Sequence, residues 1–268
     1  MTFQSIVVDV KEEVATLTLN RPEKLNALNS LLLQEAAEVM REMNDDDKIK
    51  ALIITGAGRS FCSGADLSEK VSAADINQSG INRRERLTPF VHYGLMIKKI
   101  EEFTKPVIAA VNGIAAGGGL ALALACDIRI VSEDARFASL FVRRGLVADC
   151  GTTFYLPRLV GIAKALEMMW TGDFIDAAEA YRIGLVNQVV SSENLLMSAG
   201  NFALRLAQGL SVSIELHKRL TYEGLKADSV QIQMANEDYA RYVCRQTEDF
   251  KEGRNSFLEK RDPIFKGR

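Results

Sequence analysis

A chain of 268 residues, 47% hydrophobic and 25% charged, has the make-up of a globular protein and the length for one large domain or a core with an appendage. A net charge of −2 and a pI of 5.9 leave no basic footprint for nucleic acid, and Cys62, Cys126, Cys150 and Cys244 lack the C-x-x-C spacing of a zinc or redox motif and read as reduced thiols. With no basic n-region ahead of an apolar run at the start, and no apolar stretch of about 18 residues, the expectation is a cytoplasmic protein without leader or membrane span.

In chain order, Ser5 to Val10 and Val14 to Asn20 alternate and are rich in β-branched residues, which predicts a hairpin turned at Lys11–Glu13. Ser30 to Met43 carries apolar residues at helical spacing, with Ser30 as the expected N-cap. Ala51 to Thr55, Val107 to Val111 and Ile128 to Val131 are short apolar runs that predict buried strands. Between them, Phe90–Glu102 and Gly118–Ala125 have helical patterns, so right-handed βαβ crossovers and a mostly parallel sheet are expected. The polar segment Ser68 to Glu85 reads as a surface loop or frayed helix. Beyond residue 200 the helical stretches Leu196–Ala207, Val212–Leu225 and Val230–Cys244 follow one another, which divides the chain into an α/β core over 1–200 and a helical region over 201–268.

Three segments carry candidate chemistry: Gly56 to Leu67 after a strand, Lys105 to Leu120 running from strand through turn into helix, and Gly145 to Arg158 entering another helix. Gly117, Gly118 and Gly119 at a helix start let backbone approach a ligand, and first-turn N–H groups have no intrahelical partner. With the helix dipole, such a turn suits an anion or a developing oxyanion; the other reading is close helix–sheet packing alone. The Walker A and dinucleotide-binding glycine patterns are both missing.

Together these stretches resemble the crotonase superfamily, the enoyl-CoA hydratase/isomerase family, across essentially the whole chain. The matching segments are Asn20 to Leu28, Phe61-Cys-Ser-Gly-Ala-Asp-Leu67, Lys105 to Gly113, Gly117–Gly119, Cys126-Asp-Ile128, Thr171-Gly172, Gly184-Leu-Val186 and Phe257 to Arg261 followed by Pro263 and Phe265. The resemblance implies a crotonase-like spiral of ββα units with a C-terminal helical trimerisation region, a homotrimer or dimer of trimers, and an acyl-CoA thioester as substrate. Coenzyme A is then part of the substrate, and neither a separate cofactor nor a metal is expected. It also implies an oxyanion hole made by the N–H groups of Ala65 and Gly118, each such donor typically worth roughly 2.7–4 kcal/mol in the transition state. Ala27, Gly117 and the backbone of Ala65, Asp66 and Leu67 would line the CoA and thioester. Lys24 and Lys260 would meet the CoA phosphates, Lys260 from a neighbouring subunit; the alternative for each is a solvated surface charge. Phe141 and Leu146 would face the acyl part, and Phe257 would be a further substrate contact.

The pattern departs from a hydratase at two positions. The family's water-activating glutamates fall where this chain has Ala121 and Phe141, neither of which moves a proton. Asp149 remains, where the resemblance is to dienoyl-CoA isomerases, ring-epoxide isomerases and aryl-CoA dehalogenases; the last also need a histidine where this chain has Gly94. A double-bond shift needs only one base, which removes a proton from one carbon and returns it to another. An isomerase with Asp149 as proton shuttle is therefore the leading expectation. A hydratase (of a cyclic dienoyl-CoA, for instance), a dehalogenase or hydrolase with Asp149 as nucleophile, and a non-catalytic scaffold are the alternatives. An apolar pocket of Phe141, Leu146 and Phe154 is expected to raise the Asp149 pKa, while the simpler role for Asp149 is to N-cap the following helix. Cys62 and Cys150 read as small buried apolar residues, His92 and His217 as isolated, Arg143 and Arg144 as a solvated face, and Trp170 as core. Asp66 has two readings, a contact to the adenine ribose or a brace for its own turn.

Overall fold

The computed structural model describes residues 3–68, 94–209 and 211–267. The expected loop beyond Ser68, His92 and the start of the helix expected from Phe90 lie outside them. The strands, in chain order, are β1 (Ile6–Lys11), β2 (Val14–Leu19), β3 (Ala51–Gly56), β4 (Ser60–Cys62), β5 (Val107–Val111), β6 (Ile114–Ala116), β7 (Ile128–Ser132), β8 (Arg136–Ala138), β9 (Ile175–Asp176) and β10 (Gln188–Val190). The helices are α1 (Ser30–Asp45), α2 (Gly94–Glu102), α3 (Gly118–Ala125), α4 (Thr152–Val160), α5 (Ile162–Thr171), α6 (Ala177–Arg182), α7 (Leu195–Ala207), α8 (Ser211–Gly224), α9 (Val230–Arg245) and α10 (Glu248–Glu259).

Two sheets run side by side rather than the one that the apolar runs predict. The first has the order β1-β2-β3-β5-β7-β10 and is parallel apart from the β1–β2 hairpin; the second has the order β4-β6-β8-β9. The pairs β3–β4, β5–β6 and β7–β8 each step from one sheet to the other and are followed by a helix, so the expected ββα spiral is present. The strands of the second sheet are two or three residues long, too short for any periodicity to announce them.

The central strands of the first sheet, β3 and β5, are buried on both faces. In β3, Leu52 and Ile54 join the core formed with α1, α2 and α3, while Ala51 and Ile53 face the other way onto Leu195, Ala199, Ala203 and Ala207 of α7. Strands covered on both sides read as continuous apolar runs, as these do. Helix α7 straddles residue 200 and packs on the sheet, whereas α8, α9 and α10 pack mainly on one another in succession. The N-cap of α1 is Asn29, not Ser30: its Oδ1 accepts from the Leu32 N–H at 3.0 Å. Among the described residues, no helix is long and apolar enough to cross a membrane.

Candidate active site

The loop between β3 and β4 is held by backbone contacts that leave no space for side chains. At Gly56 a Cβ would fall 2.2 Å from the Ser60 carbonyl oxygen. Buried Asn26, itself at positive φ, donates from Nδ2 to the carbonyls of Ala57 at 2.9 Å and Ser60 at 2.7 Å, and accepts from the Arg21 N–H at 2.9 Å. Further on, the Leu28 N–H donates to the Gly64 carbonyl and the Leu28 carbonyl accepts from the Asp66 N–H, each at 2.8 Å. Because Leu28 bonds the residues on either side of Ala65, the amide of Ala65 itself faces away from Leu28.

The opposing wall is the start of α3. Gly117, at φ +53°, donates to the Ala138 carbonyl at 3.0 Å and accepts the first helical bond from Ala121 at 3.0 Å. Gly118 is therefore the first helical residue, and its N–H has no intrahelical acceptor. A Cβ built on Gly64 would lie 3.2 Å from the Gly118 nitrogen, and one built on Gly118 would lie 3.8 Å from the Ala65 nitrogen. The two backbone segments thus pass against each other with their amide nitrogens close together. Among the described residues, neither amide donates to a backbone carbonyl. Every residue of α3 is buried, so its dipole acts in a water-poor surrounding. Gly119 is needed for packing: a Cβ there would fall 2.0 Å from the Cys62 carbonyl oxygen.

The third segment leaves β8 beside Gly117. Phe141 is buried, and its carbonyl accepts from Arg144 and Leu146 across the turn that closes at Gly145. The chain then passes Asp149 and, through positive φ at Cys150 and Gly151, enters α4, which packs on α3. The cap of α4 involves the Asp149 carbonyl, which accepts from the Thr152 N–H at 2.9 Å; no side chain caps this helix. The Asp149 carboxylate is thus not the N-cap. Nor is it enclosed by the expected apolar pocket: Asp149 is exposed and Leu146 is 55% exposed, with Phe154 half-buried beneath the Arg158 guanidinium. Burial, reinforced by a hydrogen bond to Asp149 and its charge, holds the Cys150 thiol protonated well above its usual range. Burial likewise pushes the Cys62 thiol up to about 12, so neither cysteine is a nucleophile at neutral pH.

The remaining predicted residues divide into two groups. Lys24, Ala27, Ala65, Asp66 and Leu67 gather at one edge through the Leu28 bridge and an Arg21–Asp66 ion pair at 2.8 Å. Arg21 also donates to the Ala27 carbonyl at 2.6 Å, while Lys24 and Leu67 are exposed. Asp66 braces its own turn: one carboxylate oxygen accepts from Ser68 and the other from Arg21, which draws its pKa down to about 2, the Ser68 hydroxyl contributing most. Phe257 and Lys260 form the second group, at the end of α10, whose main packing is on α9; Phe257 is 82% exposed. In one chain these two are not joined to the first group.

Other expectations also meet the structure here. Trp170 is 69% exposed on α5, not core. His217 is exposed on α8, its Nδ1 2.7 Å from the Ser213 carbonyl oxygen. Arg143 is exposed and paired with Asp173. Gly94 is the first described residue of α2, no atom of the described residues lies within 4 Å of a Cβ placed there, and it offers no side chain for chemistry. A cleft of about 590 Å³ between α8 and α9, lined by Leu216, His217, Leu220 and Cys244 among others, belongs to the C-terminal helices and not to this site. Sequence reasoning missed the buried Arg129 and the Asp127–Lys218–Tyr222 cluster, although a charge set between apolar runs was the available signal.

Comparison with known proteins shows the family. Residues 9–268 match the family model described as enoyl-CoA hydratase/isomerase. A crotonyl-CoA hydratase of Syntrophomonas wolfei is 39% identical over 268 residues, 99% of each chain. A 1,2-epoxyphenylacetyl-CoA isomerase of Escherichia coli is 36% identical over 267 residues, 99% of this chain and 100% of that one. Among solved structures, an enoyl-CoA hydratase from Bacillus anthracis superposes with a TM-score of 0.88 at 34% identity, covering 99% of this chain and 100% of the other.

Proposed function

Because the chain belongs to the enoyl-CoA hydratase/isomerase family, we propose that it is an enoyl-CoA isomerase, which shifts a carbon–carbon double bond of an acyl-CoA thioester through an enolate. The thioester oxygen accepts hydrogen bonds from the amides of Ala65 and Gly118. Asp149 takes a proton from one carbon as the electron pair moves onto that oxygen, then returns the proton to another carbon as the enolate collapses. The atoms balance without water or a redox partner. The amide donors act mainly in the transition state, because the hydrogen bonds become charge-assisted as the oxygen turns negative. The observation that carries this reading is the close approach of Gly64 and Ala65 to Gly118, beside the Leu28 side chain.

In the same reading, Gly117, Ala27 and the backbone of Ala65, Asp66 and Leu67 flank the CoA, and Lys24 and Lys260 neutralise its phosphates. Phe141, Leu146 and Phe257 line the acyl end. The exposure of Asp149, Leu146 and Phe257 on a single chain fits a homotrimer or dimer of trimers in which a neighbour covers that end. Coenzyme A enters as part of the substrate, and a cytoplasmic location belongs to the same proposal.

A second reading, water addition by a hydratase, is favoured by the hydratase name of the Syntrophomonas wolfei relative. Against it stand Ala121, buried in α3, and Phe141, which leave no carboxylate at either water-activating position. Incubating 2-enoyl- and 3-enoyl-CoA thioesters in heavy-oxygen water separates the two. The isomerase interconverts them and leaves the product unlabelled; a labelled 3-hydroxyacyl product as the main species overturns the proposal.

A further inference from the structure

We infer that Arg129 is a positioning residue for the enolate: its buried charge at the carbonyl end of α3 strengthens the positive potential at the amide end, where Gly118 lies. This rests on the oxyanion role proposed for Gly118. Helix α3 has eight residues, all buried, so about 12 Å separates its two ends. At the carbonyl end, Arg129, only 4% exposed, donates from Nη1 to the Cys126 carbonyl at 2.7 Å and more loosely to that of Ala123 at 3.5 Å. Its Nε donates to the Leu185 carbonyl at 2.7 Å. Among the described residues no carboxylate is hydrogen-bonded or ion-paired to this guanidinium.

The neighbouring acid, Asp127, is already matched. Its carboxylate accepts from Lys218 Nζ at 2.8 Å, from the Tyr222 hydroxyl at 2.9 Å and from the Val107 N–H at 2.7 Å. The pair Asp127–Lys218 is close to neutral as seen from a distance, which leaves Arg129 as an unbalanced positive charge. A cation at a helix C-terminus cancels the negative end of the dipole, so the positive end acts unopposed on whatever faces Gly118. With a hydrogen bond added at each end, charge and enolate are about 17 Å apart, and at an effective permittivity of about 20 one unit charge changes the stability of the enolate by about fivefold. A residue that only satisfied carbonyls would act through its N–H groups and would not need its charge.

The test uses the full-length enzyme and acetoacetyl-CoA, a β-keto thioester whose bound enolate is read by its ultraviolet absorbance as pH is varied. The wild-type protein is expected to form the enolate at lower pH than the free ligand does. Arg129→Gln keeps a donor but not the charge, and is expected to raise the midpoint by about 0.7 pH unit, the same fivefold, and to lower kcat about fivefold with KM little changed. Arg129→Lys keeps the charge and stays near wild type. Butyryl-CoA, which develops no charge, binds both variants as tightly as it binds wild type. Asp127→Asn removes the opposing charge and is expected to shift the midpoint down; should Arg129→Gln fail to fold, this variant decides. A wild-type midpoint in Arg129→Gln, a shift in Arg129→Lys as large as in Arg129→Gln, or an unmoved or raised midpoint in Asp127→Asn overturns the inference while leaving the oxyanion hole intact. A wild-type enzyme that leaves the ligand at its free-solution midpoint removes both.

Discussion

In the proposed reading Ala121 and Phe141 stand where a hydratase would carry its acids, and Asp149 is the one acid in the segment from Ser139 to Thr152 that leaves β8 beside Gly117. Replacing it by Asn keeps the size of the side chain and removes the base. Asp149→Asn is therefore expected to lower kcat for double-bond migration by about 10²–10⁴-fold with KM within a few-fold, because one general base contributes on that scale. Proton exchange into substrate from deuterated water, followed by mass spectrometry, should fall in parallel; exchange at the wild-type rate would remove Asp149 from the mechanism. Asp66 has a different and structural consequence. Its folded pKa, about 2, lies below the ordinary carboxylate value of 3.8, so its contribution to stability is fully present above about pH 4 and is lost as pH falls from there toward 2. Thermal denaturation of Asp66→Asn should accordingly show a shallower loss of Tm across that window than wild type, and the two curves should run in parallel above it. That the runs holding Ala65 and Gly118 meet was legible, because each is a short, specific stretch of residues. The Arg21–Asp66 pair, whose members are 45 positions apart, was not, since no local period links them. Nor was the exposure of Asp149 or Trp170, because burial depends on which elements meet and not on the apolar character of the neighbours.

At the scale of elements, the site consists of turns in which backbone meets backbone. A Cβ at Gly119 would enter the Cys62 carbonyl at 2.0 Å, and neither wall can yield, because one is the first turn of α3 and the other is β4. Gly119→Ala should cost about 3 kcal/mol or more in urea unfolding, at the upper end of what overpacking does. Gly64→Ala is the more informative change. Gly64 has φ +99°, which an L side chain rarely adopts, and the added carbon would crowd the Gly118 nitrogen at 3.2 Å. A fall in kcat of about 10²–10³-fold is expected, the range found on removing one oxyanion donor, together with some loss of stability. Acyl-CoA affinity measured by calorimetry should change much less than kcat. Among the long elements, the β1–β2 hairpin, α1, β3, β5, β7, α7, α8 and α9 fall within a few residues of expectation. Helices α5, α6 and α10, strand β10 and the second sheet were not anticipated: the strands are two or three residues long, and α5, although amphipathic, buries only Ala165 and Met168.

For the molecule as a whole, α10 and the segment after it hold exposed apolar side chains, Phe257, Leu258 and Ile264, while α8 is tied to the core by the Asp127–Lys218–Tyr222 cluster. These side chains are expected to be covered by further copies of the chain. Light scattering on the purified protein should give three or six times the chain mass of 29.6 kDa; a monomer retaining full activity would contradict the proposed assembly. The account depends, above all, on two amides meeting one thioester oxygen. Isotope-edited infrared spectroscopy of an acyl-CoA labelled with carbon-13 at the thioester carbonyl observes that bond directly. The predicted result is a carbonyl stretch lowered on binding to wild type relative to the ligand in water, with most of the lowering lost in Gly64→Ala. A bound carbonyl that vibrates at its solution frequency in the wild-type enzyme would contradict the account.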